Sequence, residues 1–178
     1  MTDKMERMGI VLIGYRGSGK STVGRKLADR LWQECVETDD LIVKRAGKSI
    51  KEIFEQDGEP AFRQMESEVL KEVSNREEAV ISLGGGALDR EENRATLSQA
   101  GHKIIYLKCE PPELLRRIQA DPHSASGRPN LTSLGGGIEE IEAVLARREP
   151  IWRSAMTAEL DVTHLTPEEA VVYIVRLL

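Results

Sequence analysis

The chain has few of the residues that mark a secreted, membrane-bound or zinc-binding protein. Its 178 residues include two cysteines, Cys35 and Cys109, with no Cys-x-x-Cys spacing, and three histidines with no metal-ligand spacing. These spacings argue against a disulfide framework and a zinc site, and a reducing interior is the default expectation. No apolar run is long enough for a signal sequence or a membrane span, so we expect a cytoplasmic protein without a membrane partner.

The chain also has no excess of positive charge. Twenty-five lysines and arginines face 30 acidic residues, which gives a formal net charge of −5. This balance argues against a nucleic-acid partner held by general electrostatics. Hydrophobic residues at 40% and charged residues at 31% indicate a globular protein. The length predicts a single domain over residues 1–178, and the sequence has no internal repeat or low-complexity linker.

The most specific pattern lies near the start, where Gly14–Ser21 reads GYRGSGKS and fits G-x-x-x-x-G-K-[ST]. It follows the apolar run Ile10–Ile13 and leads into a helical pattern. In such a loop the glycines let backbone N–H groups face phosphate oxygens, Lys20 reaches the β- and γ-phosphates, and the Ser21 hydroxyl ligates Mg²⁺. The following helix adds the positive end of its dipole. The pattern therefore predicts a protein that binds a nucleoside triphosphate with Mg²⁺.

Strand-like and helix-like segments alternate along the chain, which predicts an α/β fold with a mostly parallel sheet and helices on both faces. The expected strands cover residues 10–13, 35–36, 79–83, 104–107 and 160–162. Ser49–Glu52 predicts a capping box at a helix start, and Asp89 and Glu92 predict another start. Pro150 is expected to break or kink a late helix. Residues 121–137 have no periodicity and are expected to form the one long loop.

Further polar motifs follow the expected strands, at the edge where parallel sheets bind ligands. Glu37–Asp40 comes after the second strand; its acids either face an acceptor hydroxyl or stabilise a helix N-terminus, and the pattern does not choose. Gly84–Gly86 follows the third strand and allows close backbone approach to a ligand. Arg63, Arg128 and Arg148 are either acceptor-binding groups or solvated surface charges.

The histidines and tryptophans carry weaker signals. His102, His123 and His164 are expected at the surface or in loops, because they share no ligand spacing. Trp32 and Trp152 are expected to pack against other side chains rather than to stack on a ligand. None of these residues is assigned a chemical role.

Taken together, the motifs resemble the shikimate kinase family over nearly the whole chain. The matching segments are Gly14–Gly24, Thr38-Asp39, Gly47–Phe54, Gly58-Glu59, Phe62-Arg63 with Glu66, Ser82–Gly86, Arg128-Pro129 and Arg148–Pro150. Their order and spacing are more specific than the phosphate loop, which many families share. The resemblance implies a three-layer α/β/α P-loop fold with a five-stranded parallel sheet of the nucleoside-monophosphate-kinase type. It also implies a mobile lid over about residues 121–137, and ATP-dependent phosphorylation of the 3-hydroxyl of shikimate in aromatic amino acid biosynthesis.

On the acceptor side, the resemblance implies that Asp39 contacts the ring hydroxyls and is the catalytic base. Arg63 and Arg148 would hold the shikimate carboxylate. The residues implied to line this pocket with them are Gly84, Gly85 and Gly86. A carboxylate substrate suits arginines, whose planar guanidinium groups can bind both of its oxygens.

On the nucleotide side, the residues implied to bind ATP are Gly17, Ser18, Gly19, Lys20, Ser21, Thr22, Arg117 and Arg128. Lys20 and Arg128 are also implied to act in catalysis. Arg128 would reach the transferring phosphoryl group from the lid, and Arg117 would lie against the adenine. The Mg²⁺ site would be formed by Ser21, Glu37 and Ser82, with Ser82 too far from the ion to bind it directly. The family usually has Asp where this chain has Glu37, which keeps the charge and adds one methylene.

Two other functions are compatible with the phosphate loop. A gluconate kinase would use the same loop, and Arg63 and Arg148 would also suit the carboxylate of gluconate. In a nucleotide switch or binding protein without a small-molecule acceptor, Glu37 would be evidence of a degraded metal site. The Phe62-Arg63 run and the triple glycine Gly84–Gly86 favour shikimate. We expect the protein to act as a monomer on this small molecule.

Overall fold

A computed structural model describes residues 8–121 and 135–178. Within them, five strands form one parallel sheet in the order β2-β3-β1-β4-β5. The strands are β1 (Ile10–Ile13), β2 (Glu34–Glu37), β3 (Ala79–Ser82), β4 (Lys103–Lys108) and β5 (Ala158–Asp161). The predicted five-stranded parallel sheet is confirmed, and β5 begins two residues earlier than its apolar pattern indicated.

The helices connect these strands. They are α1 (Lys20–Leu31), α2 (Thr38–Ala46), α3 (Ile50–Gln56), α4 (Glu59–Val73), α5 (Glu91–Ala100), α6 (Pro111–Ala120), α7 (Ile138–Ala155) and α8 (Pro167–Leu177), with a 3₁₀ turn at Ala87–Asp89. The capping box is confirmed at the start of α3, where the Ser49 and Glu52 side chains and backbones bond reciprocally. Such caps satisfy N–H groups that the first turn leaves unpaired.

The core lies on both faces of the sheet. All four residues of β1 and of β3 are buried. Because successive side chains of a strand point to opposite faces, both faces of these strands must be covered by helices. The edge strands β2 and β5 are partly exposed, as expected for positions with one neighbouring strand. The arrangement is the predicted three-layer α/β/α sandwich.

The strand order determines where a ligand can bind. β1 lies in the centre, with β2 and β3 on one side and β4 and β5 on the other. In such sheets ligands bind beyond the carboxyl ends of the strands, near the point where the order reverses. The polar motifs after β1, β2 and β3 therefore meet at one edge.

Pro150 does not end α7, so the expected break is wrong. The helix runs without interruption from Ile138 to Ala155 with Pro150 inside it. Proline removes one backbone hydrogen bond. Buried residues on either side, Leu145 and Trp152, anchor both halves of the helix in the core. Tertiary packing thus overrides the local helix-breaking effect.

Two further expectations are corrected. His102 is buried rather than at the surface: its Nδ1 accepts the Gly9 N–H at 3.1 Å, and its Nε2 lies 2.8 Å from the Ser74 carbonyl oxygen. Trp32 does not pack, because it is 95% exposed in the left-handed position that ends α1. The helix start predicted between Asp89 and Glu92 is confirmed, because α5 begins at Glu91, directly after a 3₁₀ turn that ends at Asp89.

Candidate functional site

Two cavities open at the carboxyl edge of the sheet. The large cavity has a volume of about 810 Å³ and is lined by the phosphate loop, the ends of β2 and β3, α6 and residues 162–167. The small cavity has a volume of about 70 Å³ and is lined by α2, α3, α4, α7 and the glycine run after β3. The two cavities therefore differ in volume and in the residues that line them.

The phosphate loop forms one wall of the large cavity. Gly17 and Gly19 have φ values of 83° and 94°, which side chains other than glycine rarely adopt. The Ser18 hydroxyl is buried and has no hydrogen-bond partner among the described residues. A buried polar atom without a partner is unfavourable unless a ligand satisfies it. Loop amides and this hydroxyl therefore fit the oxygens of a phosphate group.

Lys20 lies within the same loop and is 9% exposed. Its Nζ donates to the carbonyl oxygens of Gly14 at 2.8 Å and Tyr15 at 2.9 Å. These bonds hold the ammonium group against the loop, where a phosphate oxygen would meet it. The N-terminus of α1 begins at Lys20 and adds its positive dipole to the same place.

Ser21, Glu37 and Ser82 meet on the floor of the large cavity. The Ser21 hydroxyl donates to Glu37 Oε2 at 3.1 Å, and the sheet register places Glu37 opposite Ser82. Burial raises the pKa of Glu37, while hydrogen bonds from Ser82 and Ser21 oppose the shift. Hydroxyl and carboxylate oxygens suit Mg²⁺, which keeps several waters and phosphate oxygens as its other ligands. The described residues contain no cluster of three or more His, Cys, Asp or Glu side chains that could hold a metal alone.

Thr38 connects the ends of β2 and β3. Its Oγ1 donates to the Ser82 carbonyl at 3.2 Å and accepts the Gly84 N–H at 3.0 Å. The Thr38 side chain therefore fixes the turn that carries Asp39 beside the turn that carries Gly84. A Cβ built on Gly84 would lie 2.7 Å from Asp39 Oδ1. Only glycine at position 84, which has no Cβ, leaves room for the Asp39 carboxylate where it lies.

The small cavity collects the side chains implied for the acceptor. Asp39, Arg63 and Arg148 all line it, together with Gly84, Gly85 and Gly86. A Cβ on Gly86 would collide with Arg63 Nη1 and would lie 2.9 Å from Arg148 Nη2. The two guanidinium groups therefore approach the same stretch of backbone. Phe54 and Phe62 pack at 4.9 Å between ring centroids and provide an apolar wall.

Two arginines of the small cavity, Arg63 and Arg148, form hydrogen bonds with carboxylates. Arg63 Nη1 donates to Glu66 Oε2 at 2.8 Å. Arg148, which is 3% exposed, forms a bidentate pair with Asp89: Nε–Oδ1 is 3.0 Å and Nη2–Oδ2 is 2.7 Å. These pairs fix the guanidinium planes and reduce their net charge.

Glu66 has the most unusual titration in the small cavity. It is 2% exposed, and this burial raises its pKa to about 7, with Asp39 adding to the shift and Arg63 opposing it. A carboxyl of this kind changes charge near neutral pH. It lies 3.0 Å from the position that a Cβ on Gly84 would take, so it faces the same backbone as Asp39.

Similarity to known proteins agrees with this geometry. The family model for shikimate kinase matches residues 16–178. A shikimate kinase from Thermobifida fusca is 43% identical over 160 residues, covering 90% of this chain and 88% of the relative. Another from Rhodopirellula baltica is 37% identical over 174 residues, covering 98% and 92%.

This chain belongs to the shikimate kinase family. It is an ATP-dependent kinase that phosphorylates a hydroxyl group of shikimate. A solved shikimate kinase from Acinetobacter baumannii, in complex with shikimate, superposes with a TM-score of 0.88 at 30% identity and covers 99% of this chain and 96% of its own.

The wider structural neighbours explain why the phosphate loop alone could not select the substrate. A gluconokinase from Sinorhizobium meliloti shares the fold with a TM-score of 0.59 at 17% identity, covering 97% of this chain and 94% of its own. At that identity the likeness shows the fold alone. The alternative functions, a gluconate kinase and a non-catalytic nucleotide switch, are not favoured. In residues 8–121 and 135–178 no helix is long and apolar enough to cross a membrane.

Two residues implied by the shikimate kinase resemblance stand apart from this cluster. Arg117 lines the large cavity, where its Nε bonds Glu113 at 2.7 Å and its Nη2 bonds the Val162 carbonyl at 2.8 Å. Arg128 lies outside the described residues, as does most of the predicted lid. The structure therefore brings together the other implied site residues, from the phosphate loop, the ends of β2 and β3, and helices α2, α4 and α7.

Three carboxylates at this shikimate kinase site have no role predicted from the sequence. Glu66 lies three residues after Arg63, and this helical spacing is a usable signal for an ion pair. Asp89 pairs with Arg148 across 59 residues, so no local pattern could reveal it. Glu140, fully buried at the start of α7, lies 3.7 Å from Arg16 and likewise depends on the fold.

Proposed function

We propose that this chain transfers the γ-phosphate of ATP to the 3-hydroxyl of shikimate, giving shikimate 3-phosphate, with the residue roles set out below. The joined cavities carry this proposal. The large cavity holds the phosphate loop, the small cavity holds two arginines, and Asp39 lines both. A triphosphate, a hydroxyl and a carboxylate therefore each meet groups of matching chemistry.

Arg63 and Arg148 would bind the carboxylate of shikimate. Both guanidinium groups lie against Gly86, and their carboxylate partners Glu66 and Asp89 hold them in place before substrate arrives. Prior orientation reduces the ordering that binding would otherwise require. Gly84–Gly86 has no side chains, so the substrate ring can lie directly on this backbone.

The phosphate loop would hold the β- and γ-phosphates through the amides of Gly17, Gly19 and Thr22, the Ser18 hydroxyl and Lys20 Nζ. Ser21 and Glu37 would hold Mg²⁺ with Ser82 behind them, and the ion, when bound, supplies charge neutralisation at the phosphates. Their contact on the cavity floor supports this assignment.

Arg117 would contact the adenine from α6, and its place in the wall of the large cavity supports this role. The role of Arg128 on the transferring phosphoryl group stays a prediction, as do the lid, the single domain over 1–178 and a cytoplasmic monomer.

Asp39 would act as the general base. As the 3-hydroxyl oxygen attacks the γ-phosphorus, its proton passes to an Asp39 oxygen, the bond from phosphorus to the bridging oxygen breaks, and ADP leaves. A correctly placed base contributes about 10²–10⁴ in rate. The close approach of Asp39 to Gly84, at the junction of the two cavities, supports this role.

An ADP-release assay with three parallel reactions tests the proposal: shikimate, gluconate and no acceptor, each with ATP and Mg²⁺. We expect ADP to appear with shikimate alone, and ³¹P NMR to show one phosphomonoester at the 3-position. Equal ADP release without acceptor would indicate a plain ATPase. Faster release with gluconate would move the chain to the other kinase class.

A further inference from the structure

Arg16 occupies a position that the phosphate-loop pattern leaves open. Its side chain is 10% exposed, so it lies mostly inside the protein. Of the described residues, three line both the large and the small cavity: Arg16, Asp39 and Gly84. Any group that moves from one cavity to the other must pass them.

The side chain of Arg16 contacts Tyr15 and Glu140, and its Nε remains available for a ligand. Its Nε is buried and has no hydrogen-bond partner among the described residues. Its Nη2 lies 3.7 Å from Glu140 Oε1, which holds the guanidinium by charge but is too long for a hydrogen bond. Arg63 and Arg148, in contrast, are hydrogen-bonded to Glu66 and Asp89.

The chemistry of the junction requires a cation. A phosphoryl group in transfer carries its negative charge on three equatorial oxygens. Asp39 at the same junction is itself acidic and would repel that charge. Lys20 donates to loop carbonyls on the ATP side, so it serves the phosphates before transfer. Arginine stays protonated and offers five N–H donors in a plane, so it suits the oxygens of the phosphoryl group during its transfer.

We propose that Arg16 is a catalytic residue that donates hydrogen bonds to the phosphoryl group as it passes from ATP to shikimate. The proposal rests on the proposed function. In this step the bond between the γ-phosphorus and the bridging oxygen breaks, the bond to the 3-oxygen forms, and Asp39 takes the hydroxyl proton. Arg16 neither gains nor loses a proton. Glu140, fully buried on α7, is its positioning residue.

The test compares Arg16→Met and Arg16→Lys with wild type in steady-state kinetics. Loss of a donor aimed at transition-state charge costs about 10²–10³ in kcat. We expect a fall of that size for Arg16→Met, a smaller fall for Arg16→Lys, and KM values for ATP and shikimate within about threefold of wild type. Arg25→Met is the matched control, because Arg25 is exposed on α1 and lines neither cavity.

A binding experiment separates this role from a structural one. Tetrafluoroaluminate with ADP and Mg²⁺ mimics the planar phosphoryl group, so wild type should bind shikimate more tightly in its presence. Arg16→Met should lose that increase yet bind ADP normally and keep the melting temperature of Arg25→Met. If Arg16→Met does not fold, the kinetics and tetrafluoroaluminate response of Arg16→Lys decide.

The outcomes distinguish the two proposals. A wild-type enzyme without shikimate-dependent ADP release would reject the proposed function. A wild-type enzyme that is active beside an Arg16→Met variant with unchanged kcat would reject the role of Arg16 alone. A defect confined to the KM for shikimate would also overturn it, because that result means ground-state binding and not contact with the moving phosphoryl group.

Discussion

The two cavities of this kinase are built in different ways. The large cavity takes its phosphate-binding groups from one continuous segment, Gly14–Thr22, and much of its chemistry comes from backbone N–H groups and a helix end. The small cavity draws single side chains from α2, α4 and α7, and two of its arginines, Arg63 and Arg148, are hydrogen-bonded to carboxylates. A triphosphate is common to many kinases, whereas the acceptor differs, so local sequence determines the shared half and tertiary packing determines the specific one.

Lys20→Met should have the largest effect of these substitutions, and it should act on the ATP-binding cavity. We expect turnover to fall below detection, because the loop loses the ammonium group that holds the β- and γ-phosphates for transfer. Shikimate binding, measured by calorimetry without nucleotide, should stay within about twofold of wild type. Turnover at the wild-type rate would remove Lys20 from catalysis. Lost shikimate binding would show that the two cavities are not separate.

Asp39→Asn should act at the junction. Asparagine keeps the shape of the side chain but cannot take the hydroxyl proton, so we expect kcat to fall by about a hundredfold or more. The dissociation constant for ADP should change little, because the phosphate loop is unaltered. An unchanged kcat would exclude Asp39 as the base. Asp40→Asn is the matched control, since Asp40 is the exposed neighbouring residue on α2.

Asp89→Ala should affect the acceptor side alone. Without Asp89, Arg148 loses its bidentate partner and its fixed orientation, so we expect the KM for shikimate to rise by about tenfold with kcat nearly unchanged. The melting temperature should fall too, because a buried arginine is left unpaired. Glu91→Ala, an exposed neighbour, provides the control. A lower KM would mean that Asp89 competes with the substrate carboxylate and does not position Arg148.

Local sequence patterns correctly predict those parts of the fold that are held by hydrogen bonds between residues close in sequence. The phosphate loop and the Ser49–Glu52 capping box join residues close in sequence, and both follow from residue type and spacing. The pairs Asp89–Arg148 and Gly9–His102 span 59 and 93 residues. Such pairs depend on how helices and strands pack, which composition and periodicity do not encode. The resemblance to a known family, and not the periodicity, brought Arg63 and Arg148 into one site.

The continuous helix α7 shows that a local sequence pattern can also predict a break that the packed structure does not have. Pro150 carries a strong local signal against a helix, yet the helix passes through it because Trp152 and Leu145 are buried on either side. Trp152 packs on Tyr106 of β4 with ring centroids 5.3 Å apart. Arg148 lines the small cavity from this same helix, on the N-terminal side of Pro150.

Glu66 should produce the smallest effect, visible as a pH dependence of shikimate binding. Burial raises its pKa to about 7 in the folded protein, so it is largely neutral at pH 6 and largely ionised at pH 8. When ionised, it neutralises Arg63 and repels the substrate carboxylate. Shikimate binding should therefore weaken as pH rises through about 7, since binding favours the protonated form. We expect the KM for shikimate to rise about threefold between pH 6 and 8.

Glu66→Gln should remove that dependence, because glutamine stays neutral over the whole range. The same ionisation lowers folding stability as pH rises: the unfolded carboxyl has the lower pKa, so the native state binds more protons between about pH 4.5 and 7. The melting temperature of wild type relative to Glu66→Gln should thus fall from pH 5 to pH 8. Glu68→Gln, an exposed residue on the same helix, controls for a general change of charge. An identical pH profile of KM in wild type and Glu66→Gln would show that Arg63 is insensitive to the charge of its neighbour, and the acceptor cavity would then depend on geometry and not on titration.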